Sequence, residues 1–345
     1  MEEQQYIFSG KKVNYYFDAS LADLSQYVDR GRTILIVDDK VNRLHGDQLK
    51  NWRKIVVKGA EESKSLDCFQ QVVDELIRME ADRKTMLVGI GGGVVTDLTG
   101  FVASVYMRGI SYAFVPTTLL AQVDASVGGK NGVNYGRYKN ILGVIRQPDF
   151  LLFDYTLLDT LDERDLYNGF AEIIKYACFG DLSLFDYLEN NREKALKRNR
   201  EVIGFLVKRS VEIKSNIVQK DEFEGGLRRL LNFGHTVGHA VEKIEKIPHG
   251  QAVAKGMVIA AQFSTVLNAL SEDAVSRMRR LIEEYHLPIN IESRPEDIEQ
   301  LFKMDKKREK DFIHFILLNE LGKGKVIPVK MDRLSELLNQ FITNK

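Results

Sequence analysis

The sequence predicts an α/β protein, with a parallel-sheet domain over residues 1–155 and a mainly α-helical domain over residues 156–345. Three observations lead there. Short β-branched runs alternate with helical stretches through the first half, which implies crossover connections and a parallel sheet. From about Asp159 onward the long periodic segments are almost all helical. The chain's 345 residues are room for two domains at about 150 residues each.

The elements follow in order. Arg32 to Val37 is a β-branched run that stops at Asp38-Asp39, and Lys54 to Val57 is a second. Leu66 to Ala81 has helical spacing through Val72, Val73, Leu76 and Ile77. Met86 to Ile90 is a third strand and runs into Gly91-Gly92-Gly93, before a helix over Val94 to Val105. Tyr112 to Pro116 and Phe150 to Asp154 are the fourth and fifth strands. Late in the chain, Ile313 to Leu318 with Lys325 to Val329 fits either a hairpin or a helix followed by a strand.

Composition narrows the function. Hydrophobic residues at 44% and charged residues at 28% are the balance of a soluble globular protein. Lys plus Arg and Asp plus Glu are both 49, so the basic excess of a nucleic-acid-binding protein is missing. No apolar run reaches transmembrane length, and Met1 to Gln5 lacks a signal-peptide pattern. The expectation is a cytoplasmic protein with Cys68 and Cys178 as buried, reduced thiols.

Gly89 to Gly93 ends a strand and precedes a helix, the setting in which backbone N–H groups hold a diphosphate. The dinucleotide fingerprint is not met, because Val94 stands where its last glycine belongs, and the loop reads equally as a tight turn. Asp38 could hold a ribose hydroxyl or cap the following helix.

The stretch Leu227 to Ile244 is the most informative. On a helix at about 100° per residue, Arg228, Asn232, His235 and His239 share one stripe, at spacings of four, three and four. No Lys, Glu or Asp occurs between Leu230 and Val241, so this stripe faces a polar cavity rather than solvent. His249 follows at the start of another helix. Histidines gathered with a carboxylate are the ligand set of a catalytic zinc. Thr236 replaces the glutamate of a metalloprotease H-E-x-x-H, which removes peptidase chemistry. The helix Asn168 to Phe179 carries only Glu172 and Lys175 as charges, three residues apart. Glu172 is the candidate anionic ligand, while His239 and His249 both remain open as ligands. Pro116 to Val133, with Asp124 and Lys130, then Lys139-Asn140, suits a loop over a phosphate or carboxylate.

Taken together, these segments resemble one family. Gly91-Gly-Gly-Val-Val-Thr-Asp-Leu-Thr-Gly100, Pro116-Thr-Thr-Leu-Leu-Ala-Gln-Val-Asp124, Gly128-Gly-Lys130, Lys139-Asn140, Ala171-Glu-Ile-Ile-Lys-Tyr176, Leu231-Asn-Phe-Gly-His-Thr-Val-Gly-His239, His249-Gly and Met304-Asp-Lys-Lys307 are similar to 3-dehydroquinate synthases, in order and near-family spacing. The resemblance implies a Rossmann-like NAD-binding domain and a helical metal- and substrate-binding domain. It implies conversion of 3-deoxy-D-arabino-heptulosonate 7-phosphate to 3-dehydroquinate, the second step of the shikimate pathway. The steps are transient oxidation by NAD, phosphate elimination, re-reduction and internal aldol closure.

Carried over by residue, the resemblance assigns one divalent metal, zinc or cobalt, to Glu172, His235 and His249. Asp124, Lys175 and His239 become catalytic. Arg108, Lys130, Asn140, Lys214, Arg228, Asn232 and Lys306 (or Lys307) become substrate contacts. NAD falls to Asp38, Glu61, Lys64, Gly92, Gly93, Asp97, Thr117, Thr118, Lys139 and Thr160. It also implies a homodimer acting on a small phosphorylated sugar acid, with no nucleic-acid or membrane partner. Thr96, the extra Ala60 and His314 depart from the family pattern without removing a group the chemistry needs. Alternatives are an aminodehydroquinate synthase, another sugar phosphate cyclase or a metal-dependent polyol dehydrogenase. Arg228 and Asn232 favour a substrate bearing a carboxylate, because a guanidinium pairs with one bidentately.

Overall fold

The computed structural model describes residues 1–136, 138–304 and 312–342. The chain divides into two compact units, Met1–Leu166 with Ile203–Phe223, and Tyr167–Val202 with Glu224–Lys345. A single cut at residue 155 or 156 therefore misses one feature: a long helix from the later half, α6 (Arg200–Lys220), contributes most of its length to the first unit.

The first unit is built on a seven-stranded sheet in the order β1-β2-β9-β6-β5-β3-β4. The five strands expected from sequence are β3 (Thr33–Asp38), β4 (Arg53–Val57), β5 (Met86–Gly91), β6 (Ser111–Pro116) and β9 (Phe150–Phe153), and all pair in parallel. In β3, β5, β6 and β9 nearly every side chain is buried, hence their unbroken apolar runs, whereas the edge strand β4 alternates, with Val56 exposed. Two further strands, β1 (Glu2–Phe8) and β2 (Lys11–Phe17), form an antiparallel hairpin whose second strand joins β9 in parallel. The turn uses Ser9 at φ 42° and Gly10 at φ 85°, the positive-φ pair that matches strand twist. Helices α1 (Asp39–His45), α2 (Leu66–Arg78) and α3 (Gly93–Val105) provide the crossovers. Leu35, Val37, Val88, Ile90, Ala113, Val115 and Leu152 close one face of the sheet over Leu21, Leu24 and Leu49. The stretch read as a loop around Lys130 and Lys139 is instead an antiparallel hairpin, β7 (Lys130–Tyr135) and β8 (Tyr138–Ile145).

The second unit is mainly helical: most of α4 (Glu163–Gly180), then α5 (Leu182–Leu196), α7 (His235–Glu245), α8 (His249–Leu267), α9 (Glu272–Glu284), α10 (Pro295–Met304) and α11 (Met331–Ile342). The ambiguous late segment is an antiparallel hairpin, β10 (Phe312–Glu320) with β11 (Lys323–Lys330). Its core joins Val237, Val241, Ile259 and Phe263 to Phe315, Leu317, Leu334 and Leu338. Among the described residues no helix is long and apolar enough to cross a membrane.

Candidate metal and substrate site

The polar stripe of the second unit is not one helix. Leu227–Asn232 is a 3-10 turn, and α7 starts afresh at His235. Gly234, at φ +76°, makes the break. A side chain there would also strike Met257 Cγ at 2.6 Å and the Val253 carbonyl at 2.9 Å. Gly256, on the facing helix, comes closer still, since a Cβ on it would lie 2.0 Å from the Gly234 carbonyl and 2.7 Å from the Gly238 nitrogen. These glycines let the backbones of α7 and α8 touch. That contact fixes two histidines, because His235 is the first residue of α7 and His249 the first of α8.

Glu172, on α4, completes the group. Its Oε1 lies 3.5 Å from His235 Nε2 and 3.3 Å from His249 Nε2, and it is fully buried. The three ligand atoms lie within 4.8 Å of one another. Both imidazoles are held by their other nitrogen. His235 Nδ1 lies 3.1 Å from the Phe233 carbonyl, and His249 Nδ1 lies 3.0 Å from Glu242 Oε2. Carbonyl and carboxylate only accept, so each Nδ1 carries its hydrogen, as in carboxylate–histidine–metal arrangements. Burial drives the His235 pKa well below the usual histidine value. Burial also opposes charge on His249, but hydrogen bonds to Glu172 and Glu242 outweigh it and push that pKa up to about 9.

Around this trio stand the other residues expected in the second unit. Lys175, 1% exposed, forms an ion pair with Glu172 Oε2. The His239 ring lies 5.2 Å from that of His235 and 6.0 Å from that of His249, yet it is not one of the three grouped ligand positions. Arg228 is 2% exposed, and Asn232 donates to Glu224 Oε1 at 3.0 Å. Lys306 and Lys307 lie outside the described residues. Glu242 was not among the expected residues. Its signal was present, because the four, three, four spacing extends by three from His239 to Glu242.

The first unit gathers a separate set. Gly92 is the N-cap of α3, and Gly93 its first residue. A Cβ on Gly92 would sit 3.1 Å from Thr118 Cγ2, and one on Gly93 3.1 Å from Ala125 Cβ. Thr117 N donates to the Gly91 carbonyl at 3.0 Å, joining the loops after β5 and β6. Asp38 Oδ1 accepts from Lys40 N at 2.8 Å and Val41 N at 3.2 Å, so it does cap α1. Lys64, 6% exposed, is ion-paired with Asp97. Burial lifts the Asp97 pKa to about 6 against the pull of that lysine. Glu61 Oε1 accepts from Asn134 Nδ2 at 2.8 Å, and Thr160 Oγ1 meets His45 Nε2 at 3.0 Å. Asp124 lies in a π-helical turn, Ala121–Ala125, of a kind often found at functional sites. Lys214 reaches it from α6, donating to Asp124 Oδ1 at 2.6 Å and to its carbonyl at 2.9 Å. Arg108 is exposed on the 3-10 turn Tyr106–Arg108, and Lys130, Lys139 and Asn140 are exposed on the β7–β8 hairpin.

Models of the 3-dehydroquinate synthase N-terminal and C-terminal regions match residues 54–168 and 169–308. The chain belongs to the 3-dehydroquinate synthase family. It is 40% identical over 334 residues to the 3-dehydroquinate synthase of Thermoanaerobacter pseudethanolicus, covering 93% of this chain and 94% of that protein. The 3-dehydroquinate synthase of Thermodesulfovibrio yellowstonii is 37% identical, with 89% of each chain covered. Among solved structures, the chain is similar to a 2-deoxy-scyllo-inosose synthase complexed with carbaglucose-6-phosphate, NAD+ and Co2+. That likeness has TM-score 0.88 and 25% identity over 98% of this chain and 100% of that one. A 2-epi-5-epi-valiolone synthase from Streptomyces hygroscopicus, with NAD+ and Zn2+ bound, gives 0.87 and 27%, over 99% and 98%. An iron-containing alcohol dehydrogenase, at 15% identity and TM-score 0.66 over 99% and 100% of the chains, shares the fold alone.

Proposed function

We propose that this 3-dehydroquinate synthase family member converts 3-deoxy-D-arabino-heptulosonate 7-phosphate to 3-dehydroquinate and phosphate, using NAD and one divalent metal. The observation that carries the reading is the Glu172, His235 and His249 group, its carboxylate fully buried, with both imidazoles held through Nδ1 and Lys175 against the carboxylate. Two imidazole nitrogens and one carboxylate oxygen fit a catalytic zinc or cobalt that keeps an open position. The glycine turn before α3 fits a dinucleotide, because Gly92 and Gly93 open that helix and the first backbone N–H groups of a helix suit phosphate oxygens.

When bound, the metal makes a substrate hydroxyl more acidic and the dinucleotide carries the hydride. The chain supplies position and charge. Arg228 suits the substrate carboxylate, since its planar fork matches one, and Asn232 adds a neutral contact. Lys175, Lys130, Lys214 and Asn140 bind oxygen atoms of the substrate, the lysines as point charges for the phosphate. Asp124, held by Lys214, and His239 orient the hydroxyls and move protons there. Asp38, Glu61, Lys64, Asp97, Thr117, Thr118, Lys139 and Thr160 hold NAD.

The test is phosphate release from the heptulosonate phosphate with NAD far below substrate. Many phosphates per NAD, with no NADH accumulating and with loss of activity on metal removal, is the expected result. NADH formed in proportion to substrate consumed would place the chain with the polyol dehydrogenases instead.

A further inference from the structure

The β7–β8 ladder is irregular at one place. Val133 pairs with Leu142 and Tyr135 with Tyr138, and the register shifts between them at Asn134. Two residues of β7 thus run against four of β8, so the bulge lies on β8, where Lys139, Asn140 and Ile141 stand opposite Asn134 alone. Asn134 then bridges to Ser65 in parallel, and its backbone N–H donates to the Lys64 carbonyl at 2.8 Å. Its side chain is used at both ends. The amide Nδ2 donates to Glu61 Oε1 at 2.8 Å, and Oδ1 accepts from the Asn140 backbone N–H at 2.8 Å. Asn140 has φ 53°, in the left-handed region that asparagine adopts more readily than most residues.

We propose that Asn134 is a positioning residue that sets the Glu61–Lys64 loop and the Lys139–Asn140 segment of β8 in one fixed arrangement. The inference rests on the reading of Glu61, Lys64 and Lys139 as NAD contacts and of Asn140 as a substrate contact. The carboxamide is suited to the task because it donates at one end to a carboxylate and accepts at the other from a backbone N–H. Glutamine carries the same group but is one methylene longer. Asp at this position would keep the acceptor for Asn140 but set a carboxylate against Glu61. The two ends of the group are therefore separable by substitution. Through the fixed arrangement, occupancy of the nucleotide loop and the pose of Asn140 are linked, and such a linkage acts equally in both directions.

The experiment uses the whole chain with its metal. NAD affinity is measured by titration, and KM for the heptulosonate phosphate by phosphate release, for wild type, Asn134→Asp, Glu61→Gln, the double variant and Asn134→Ser. Asn134→Asp should weaken NAD about 5- to 10-fold, the scale of one lost hydrogen bond plus repulsion, with a smaller change in KM. In the double variant the carboxamide introduced by Glu61→Gln can donate to the new carboxylate, so NAD affinity should recover at least about threefold over Asn134→Asp. Asn134→Ser, too short for either end, should raise KM and weaken NAD together. Additive effects of Asn134→Asp and Glu61→Gln on NAD affinity, or Asn134→Ser with wild-type constants, would overturn the inference. Wild type failing to bind NAD would instead sink the functional reading on which it rests.

Discussion

Glu242 Oε2 lies 3.0 Å from His249 Nδ1, and the same imidazole presents Nε2 to Glu172 Oε1 at 3.3 Å. One histidine thus stands between two carboxylates, each addressing a different ring nitrogen. Glu242 comes from α7, so the helix that carries His235 also orients the histidine that starts α8.

Glu242→Gln should keep the ring in place but weaken its donor strength, and Glu242→Ala should release it. Loss of such an outer partner typically costs about 10- to 100-fold in metal affinity. Competition with a chelator should show Ala worse than Gln, with NAD affinity unchanged in both.

His249→Ala should lose bound metal and activity together, whereas His239→Ala should retain metal and lose mainly activity. The ground is that the grouped ligand atoms belong to Glu172, His235 and His249. Metal analysis of both purified variants decides it, and equal metal loss would count against this division of roles.

Gly256→Ala should damage the site without touching a ligand. The new methyl would have to sit 2.0 Å from the Gly234 carbonyl, so α7 and α8 must separate. Overpacking of this kind costs roughly 1–3 kcal/mol or more. A thermal melt should fall accordingly, and metal content should fall with it because each helix begins on a ligand.

Asp97 should make folding stability depend on pH in the unusual direction. Its folded pKa, about 6, exceeds the ordinary 3.8, so the fold favours the protonated acid. The contribution is present below about pH 4 and is lost as the pH rises through 6. It amounts to at most about 3 kcal/mol, and less because some water reaches the carboxylate. Denaturant unfolding of wild type and Asp97→Asn, without NAD, checks this. The advantage of wild type should be larger at about pH 4 than at about pH 7.

Among the parallel strands, β3, β5, β6 and β9 were legible because they are buried on both faces and read as continuous apolar runs, and the edge strand β4 because of its β-branched Ile55-Val56-Val57. β1 and β8 were not, since exposed, half-polar strands such as Glu2-Glu3-Gln4-Gln5 carry little pattern until a partner is known. In the second unit, the spacing of Arg228, Asn232, His235 and His239 identified a polar stripe. It missed the break at Gly234, because helical periodicity tolerates a glycine and only the contact with α8 forces its left-handed backbone. The meeting of Lys214 with Asp124 joins residues far apart in sequence, and no local period encodes that. Asp38 was readable as a cap from its place at a strand end, and it is one.

The connection between the two ligand-bearing helices is three residues, Lys246, Ile247 and Pro248, with Lys246 left-handed at φ 52° and Pro248 capping α8. The length of this segment is therefore constrained by the packing of the two helices it joins. One residue added or removed would have to be absorbed within these three residues, or α8 would shift against its packed face. His249 would then leave the group, or Gly256 would leave the groove between Gly234 and Gly238. Surface loops elsewhere in the chain can lengthen at little cost, but here the spacing of the chain is itself a ligand-placing device.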